Sequence, residues 1–129
     1  MVATSEKEKA HAVAREQFVH IRELVLAHAA AQSLEEEQAA TEAILKQAPQ
    51  IAVRSNWHSP REPQYVSEYR ILLSAGSPSV QIIGDIEEGE PYTARLGYQA
   101  WFTRWEECEL TEEEEQQLLT YAGFFTYDN

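Results

Sequence analysis

Between Tyr65 and Trp105 the chain reads YVSEYRILLSAGSPSVQIIGDIEEGEPYTARLGYQAWFTRW, three runs of alternating polarity cut by two turn signals. Successive side chains on a strand point to opposite faces, so such alternation suits a sheet with one buried and one wet side. In the first run Tyr65, Tyr69, Ile71 and Leu73 share a face, with Glu68 and Arg70 opposite. Gly76-Ser77-Pro78 turns the chain. In the second run Val80, Ile82 and Ile86 oppose Gln81, Ile83 and Asp85, and Gly84 predicts a bulge or a close approach. Glu88-Gly89-Glu90-Pro91 makes the next turn, and the third run sets Tyr92, Ala94, Leu96 and Tyr98 against Thr93, Arg95 and Gln99. Connections this short favour antiparallel neighbours, because a parallel pairing needs a long crossover. The segment Trp101 to Trp105 is either a fourth strand or an ordered loop; periodicity leaves both open.

A sheet with one apolar face needs a cover, and the N-terminal third supplies helices. Ser5 and Glu8 have capping-box spacing, and Ala14, Phe18, Ile21, Val25 and Ala29 then trace one helical stripe. Ser33 and Glu36 repeat the capping spacing, which predicts a break near Gln32 and a second helix from Leu34 to Ala48, stopped by Pro49. A join this short predicts a helical hairpin. Residues 49–64 carry Pro49, Pro60 and Pro63 and read as a crossing loop with a short extended piece at Ile51 to Arg54. Thr111 with Glu114 opens a last helix through about Ala122, with Gly123 as its stop. The expected fold is α+β: a helical hairpin packed on a three- to four-stranded antiparallel sheet, with a C-terminal helix, in one domain of 129 residues.

Function classes are narrowed more than they are named. A formal charge of −12 disfavours direct nucleic-acid binding, which needs a basic footprint, and binding to anionic membranes. No apolar run reaches the length of a spanning helix and no signal-peptide segment is read at the N-terminus, so a cytoplasmic protein is expected. The single cysteine, Cys108, excludes an intrachain disulfide and stands among Glu106, Glu107 and Glu109, which suppress thiolate. His11, His20, His28 and His58 show no i, i+4 metal pair. Asp85, Glu87, Glu88 and Glu90 match no calcium loop and suit a solvated hairpin turn. There is no phosphate-cradling glycine loop and no nucleophile elbow. No catalytic residue, cofactor or metal is assigned.

The informative feature is acid. Glu106, Glu107, Glu109, Glu112, Glu113, Glu114 and Glu115 place seven carboxylates within ten residues. From Asp85 onward twelve acids meet only Arg95 and Arg104, a net charge of −10, whereas the first 84 residues carry −2. Acids in a first helical turn complement the helix dipole, but this run exceeds what capping requires. An acidic ridge can occupy the Lys/Arg groove of a nucleic-acid enzyme, and charge steering speeds its arrival. Trp101 and Trp105, within the dense group Tyr98, Trp101, Phe102 and Trp105, are the candidate anchors, since Trp and Tyr are favoured at interface hot spots.

The pattern Tyr69-Arg70-Ile71-Leu72-Leu73-Ser74, Gly76, Pro78, Val80, Ile82, Gly84, then Tyr98 through Trp105, then Leu118-Leu119-Thr120-Tyr121, resembles a group of small uncharacterised proteins of phages, prophages and plasmids. The resemblance covers about residues 65–127. It implies a mobile-element setting, in which small acidic proteins resemble inhibitors of host defence such as anti-CRISPR and anti-restriction proteins. The expected function is therefore non-enzymatic: binding and inhibition of a basic, nucleic-acid-handling host complex through a protein partner's basic surface. Two alternatives stand beside it. One is a homodimeric accessory module built through the N-terminal helices or the sheet edge. The other is a small enzyme or ligand-binding protein with a pocket at Tyr92, Tyr98 and Trp101.

Overall fold

The structure, a computed structural model, describes residues 2–47, 50–55, 57–63, 65–76, 78–100 and 103–127, with backbone alone for residues 2–5. Helices α1 (Val2–Ala29) and α2 (Leu34–Leu45) come first. The strands are β1 (Gln50–Ser55), β2 (Val66–Ser74), β3 (Ser79–Glu87), β4 (Glu90–Pro91), β5 (Arg95–Gln99) and β6 (Glu106–Cys108), and α3 (Glu112–Ala122) ends the order. The class is α+β. Its sheet runs β1-β2-β3-β5-β6, every pair antiparallel, with β4 attached to the end of β3.

The sheet is larger than the expected three to four strands. The proline-flanked segment supplies a whole strand, β1, with Ile51 opposite Ile71 and Val53 opposite Tyr69. The expected extended piece at Ile51 to Arg54 is its centre, and the ladder with β2 lengthens it by one residue at each end. The expected loop over 49–64 is correspondingly reduced to the residues after Ser55. The fourth rung of the meander is Glu106–Cys108, while Thr103–Trp105 is loop, pinned by Thr103 Oγ1 accepting from Ala100 N at 3.2 Å. Trp101 and Phe102 lie outside the described residues.

Helix α1 is the hub, packing on α2, α3, β3, β5 and β6. Ala14, Phe18, Ile21 and Val25 are buried as the stripe predicts, but Ala29 is exposed and Ala10 extends the stripe in the other direction. The helix already runs at Val2, so Ser5 lies inside it and is not its cap. Ser33 does cap α2, its Oγ accepting from Glu36 N at 3.1 Å, while the Glu36 carboxylate accepts from Gln32 N at 2.8 Å rather than from Ser33. Helix α2 ends at Leu45, short of the expected Ala48; Ala48 and Pro49 lie outside the described residues.

Tyr69, Ile71, Val80, Ile82 and Leu96 point to the helices and are at most 2% exposed. Burial of this set and of Phe18, Ile21 and Leu118 is the main stabilising term, at about 1.5–3 kcal/mol for each large side chain. The β3–β4 hairpin closes through Glu88 and Gly89, both at positive φ (53° and 81°), the geometry of a two-residue turn whose twist matches its strands. Gly84 is a close approach: a Cβ there would lie 1.9 Å from the carbonyl oxygen of Thr93. That oxygen accepts from the Tyr69 hydroxyl at 2.7 Å. The chain crosses over Gly84 at this point, so β5 starts at Arg95 and not at Tyr92.

Helix α3 carries the predicted capping box. Gly123 is its C-cap but has φ −67°, so the helix stops without using the left-handed freedom of glycine. Tyr127 then folds back, its hydroxyl donating to Ala122 O at 2.7 Å.

Candidate functional site

The seven glutamates of the acidic run are divided by the elements that carry them. On β6 the alternation of a strand separates Glu106, paired with Tyr98, from Glu107, paired with Gly97 on the opposite face. Lys7 lies 3.6 Å from Glu106, and Arg95 lies 3.8 Å from Glu107. Both contacts are exposed, so each contributes little.

Glu114 is different. Its Oε1 accepts from Thr111 N at 3.0 Å, and its Oε2 accepts from Arg15 Nη2 at 2.8 Å. The Arg15 guanidinium also sits 5.1 Å from the Phe18 ring centre. The hydrogen bond from Arg15, then that from the Thr111 backbone, holds the Glu114 carboxyl below the usual carboxylate range. Glu114 is thus a structural clamp between α1 and α3. Glu115 accepts a long hydrogen bond, 3.4 Å, from Ala94 N.

Three glutamates remain. Glu109, Glu112 and Glu113 are exposed, and none has an ion pair or hydrogen bond to a described residue. They stand at the entry to α3, whose start the Glu114 clamp fixes. Of the seven expected carboxylates these three are the ones without an internal contact, and Glu107 stays exposed beside Arg95. Trp105 is 41% exposed and lines the open side of the sheet with Gln81 and Ile83. Trp101 lies outside the described residues, so its part in any anchor is not described.

A second acidic group adjoins the far end of α3. The turn Gly89-Glu90-Pro91 shares a cleft of about 420 Å³ with Leu119, Gly123, Phe125 and Tyr127. Glu87, Glu88 and Glu90 are exposed there, without an ion pair to a described residue. Helix α3 has 11 residues and so separates the two acidic ends by about 16 Å. Gln116 and Thr120 are the exposed residues between them.

Residues considered for chemistry sit in other settings. Cys108 is 2% exposed, and burial, more than neighbouring charge, pushes its thiol up. His11 packs edge-on against Tyr98, and His28 against Phe124. Tyr98 lies under α1 while Tyr92 is 63% exposed, so these two do not line a common wall. Among the described residues no group of three or more His, Cys, Asp or Glu is placed to hold a metal ion. No helix among them is long and apolar enough to cross a membrane.

Sequence reasoning missed Arg15, whose partner is 99 positions away; no local signal encodes such a pairing. It also passed over Trp57, fully exposed at the end of β1. Comparison of the chain with protein-family models, curated proteins and solved structures finds no match.

Proposed function

We propose that the chain is a non-enzymatic partner-binding protein whose acidic C-terminal side docks on the basic surface of a nucleic-acid-handling complex. The resemblance to phage, prophage and plasmid proteins makes inhibition of a host defence complex the setting. The observation that carries the reading is the trio Glu109, Glu112 and Glu113: exposed carboxylates without an internal partner, the first in the link after β6 and the other two on a helix start that Arg15 and Glu114 hold in place. Held charges lose little freedom on binding, and they steer a cationic partner from beyond contact range. The acidic turn at Glu87, Glu88 and Glu90 adds negative charge near the other end of α3. The homodimer alternative finds less support: antiparallel pairing of α2 through its exposed Leu34 and Leu45 brings Glu37 and Glu42 of the two copies together.

The test is association of the purified protein with purified CRISPR effector and restriction complexes at low and at high salt. Binding at low salt that is lost at high salt, and lost again in a variant with Lys at positions 109, 112 and 113, is the expected result. Absence of any salt-sensitive association across the panel ends the proposal.

A further inference from the structure

The helices cover one face of the sheet and leave the other open. Its register puts Ala52, Arg70, Ile83 and Arg95 in one row across β1, β2, β3 and β5. A cleft of about 450 Å³ on this face is lined by Ala52, Arg70, Gln81, Ile83 and Trp105. A second, of about 660 Å³, is lined by Ser55, Trp57 and His58. The two share Arg54 and Glu68, which are joined at 2.7 Å, so they form one trough with a tryptophan toward each end. Trp57 is fully exposed and Trp105 41% exposed.

We infer that this trough is a docking groove for an extended peptide segment of another protein that brings one carboxylate to Arg70. Charge decides the sign. The face holds Arg54, Arg70 and Arg95 against Glu68, Asp85 and Glu107, so its charges cancel in number and only an arginine without a partner can recruit one. Arg54 and Arg95 each have a single carboxylate partner, and Arg70, in the floor, has no ion pair to a described residue. Arg70 is thus a guanidinium presented to solvent beside Ile83, where a carboxylate forms a two-pronged hydrogen bond over an apolar floor. Shape decides the class. From Glu68 to Leu72, which pairs with Gln81, the floor runs about 13 Å along β2, the length of about four extended residues. Exposed tryptophans are the side chains most often found as hot spots, and they stack on proline or aromatic rings. A polyphosphate chain is the poorer occupant, because its successive charges meet Glu68, Asp85 and Glu107 as well as Arg70, whereas the peptide needs a carboxylate at one position only.

The proposal goes beyond the acidic-side reading and stands apart from it. Its test is selection from a phage-displayed library of short random peptides against the whole protein, followed by fluorescence anisotropy of the enriched peptides. Enriched sequences are expected to share a single Asp or Glu at a fixed position among apolar or aromatic residues. Trp57→Ala and Arg70→Glu are each expected to weaken them by about tenfold, with the melting temperature unchanged. Lys at Glu112 and Glu113 is expected to leave this binding intact, so the two readings fail separately. No enrichment, enrichment of basic sequences, affinity indifferent to both trough substitutions, or tighter binding of a single-stranded oligothymidine would each overturn the assignment.

Discussion

The two faces of the sheet are built from the same strands and do opposite work. On the covered face Tyr69, Ile71, Val80, Ile82 and Leu96 are spent on the protein's own core. On the open face Arg70, Ile83 and Arg95 occupy neighbouring positions of the same ladders, and no element of the described chain closes over Arg70. The acidic run repeats the division at smaller scale: Glu114 is committed to Arg15 and to its own cap, while Glu112 and Glu113 are committed to nothing internal. Residues of one type therefore cannot be assigned one role by adjacency. What separates them is whether a partner of the same chain has already claimed them.

Substitutions can break that division, and the largest effects belong on the covered side. Gly84→Ala drives a methyl group into the Thr93 carbonyl and should lower stability by about 3 kcal/mol in urea unfolding. Phe18→Ala, at a position with no exposed surface, should lose about 3–5 kcal/mol. A mild effect at either site would mean that the crossing at Thr93, or the α1 packing, is looser than described.

Next comes the clamp. Glu114→Ala removes cap and ion pair together and should lose about 1–2 kcal/mol, whereas Glu114→Gln preserves the capping geometry and should lose roughly half as much. The carboxyl is held below its ordinary value of 4.5, so its contribution is complete above that pH and disappears as pH falls through the lowered value. Acid unfolding followed by circular dichroism should show a shallower loss in Glu114→Gln than in the parent. Equal acid profiles would remove Glu114 from the committed class.

The smallest effects belong to the uncommitted residues. Lys at Glu112 and Glu113 opposes the helix dipole and should cost about 1 kcal/mol for the pair, and Arg70→Ala should stay within about 0.5 kcal/mol. Replacing all four of Glu112 to Glu115, by contrast, would strike the clamp as well and confound fold with binding. Thermal melts of the single-site series separate the two cases, and unfolding by Arg70→Ala alone would make the open face structural.

The alternation between Tyr69 and Tyr98 was legible because a period of two is imposed residue by residue. The Thr111–Glu114 capping box and the Ser33 cap were legible for the same local reason, although the Glu36 carboxylate goes to Gln32 N and leaves the second box incomplete. Strand β1 was legible as a short extended piece but not as a member of the sheet, since Ile51 and Val53 take that place only against Ile71 and Tyr69. Nor was the partition of the acids: Glu106 and Glu107 diverge because β6 is a strand, and Glu114 is claimed by a residue almost the whole chain away.

Helix α1 holds a last implication. Its partners β3, β5, β6 and α3 all come late in the chain, and Arg15 meets its carboxylate only at position 114. During synthesis only α2 is at hand to pack on α1, and the stripe with Phe18 and Ile21 is fully covered only after β3, β5, β6 and α3 have left the ribosome. Such distant pairings slow folding and give little reward to an unfinished product. A copy cut short before α3 should therefore be cleaved by proteases faster than one that contains it.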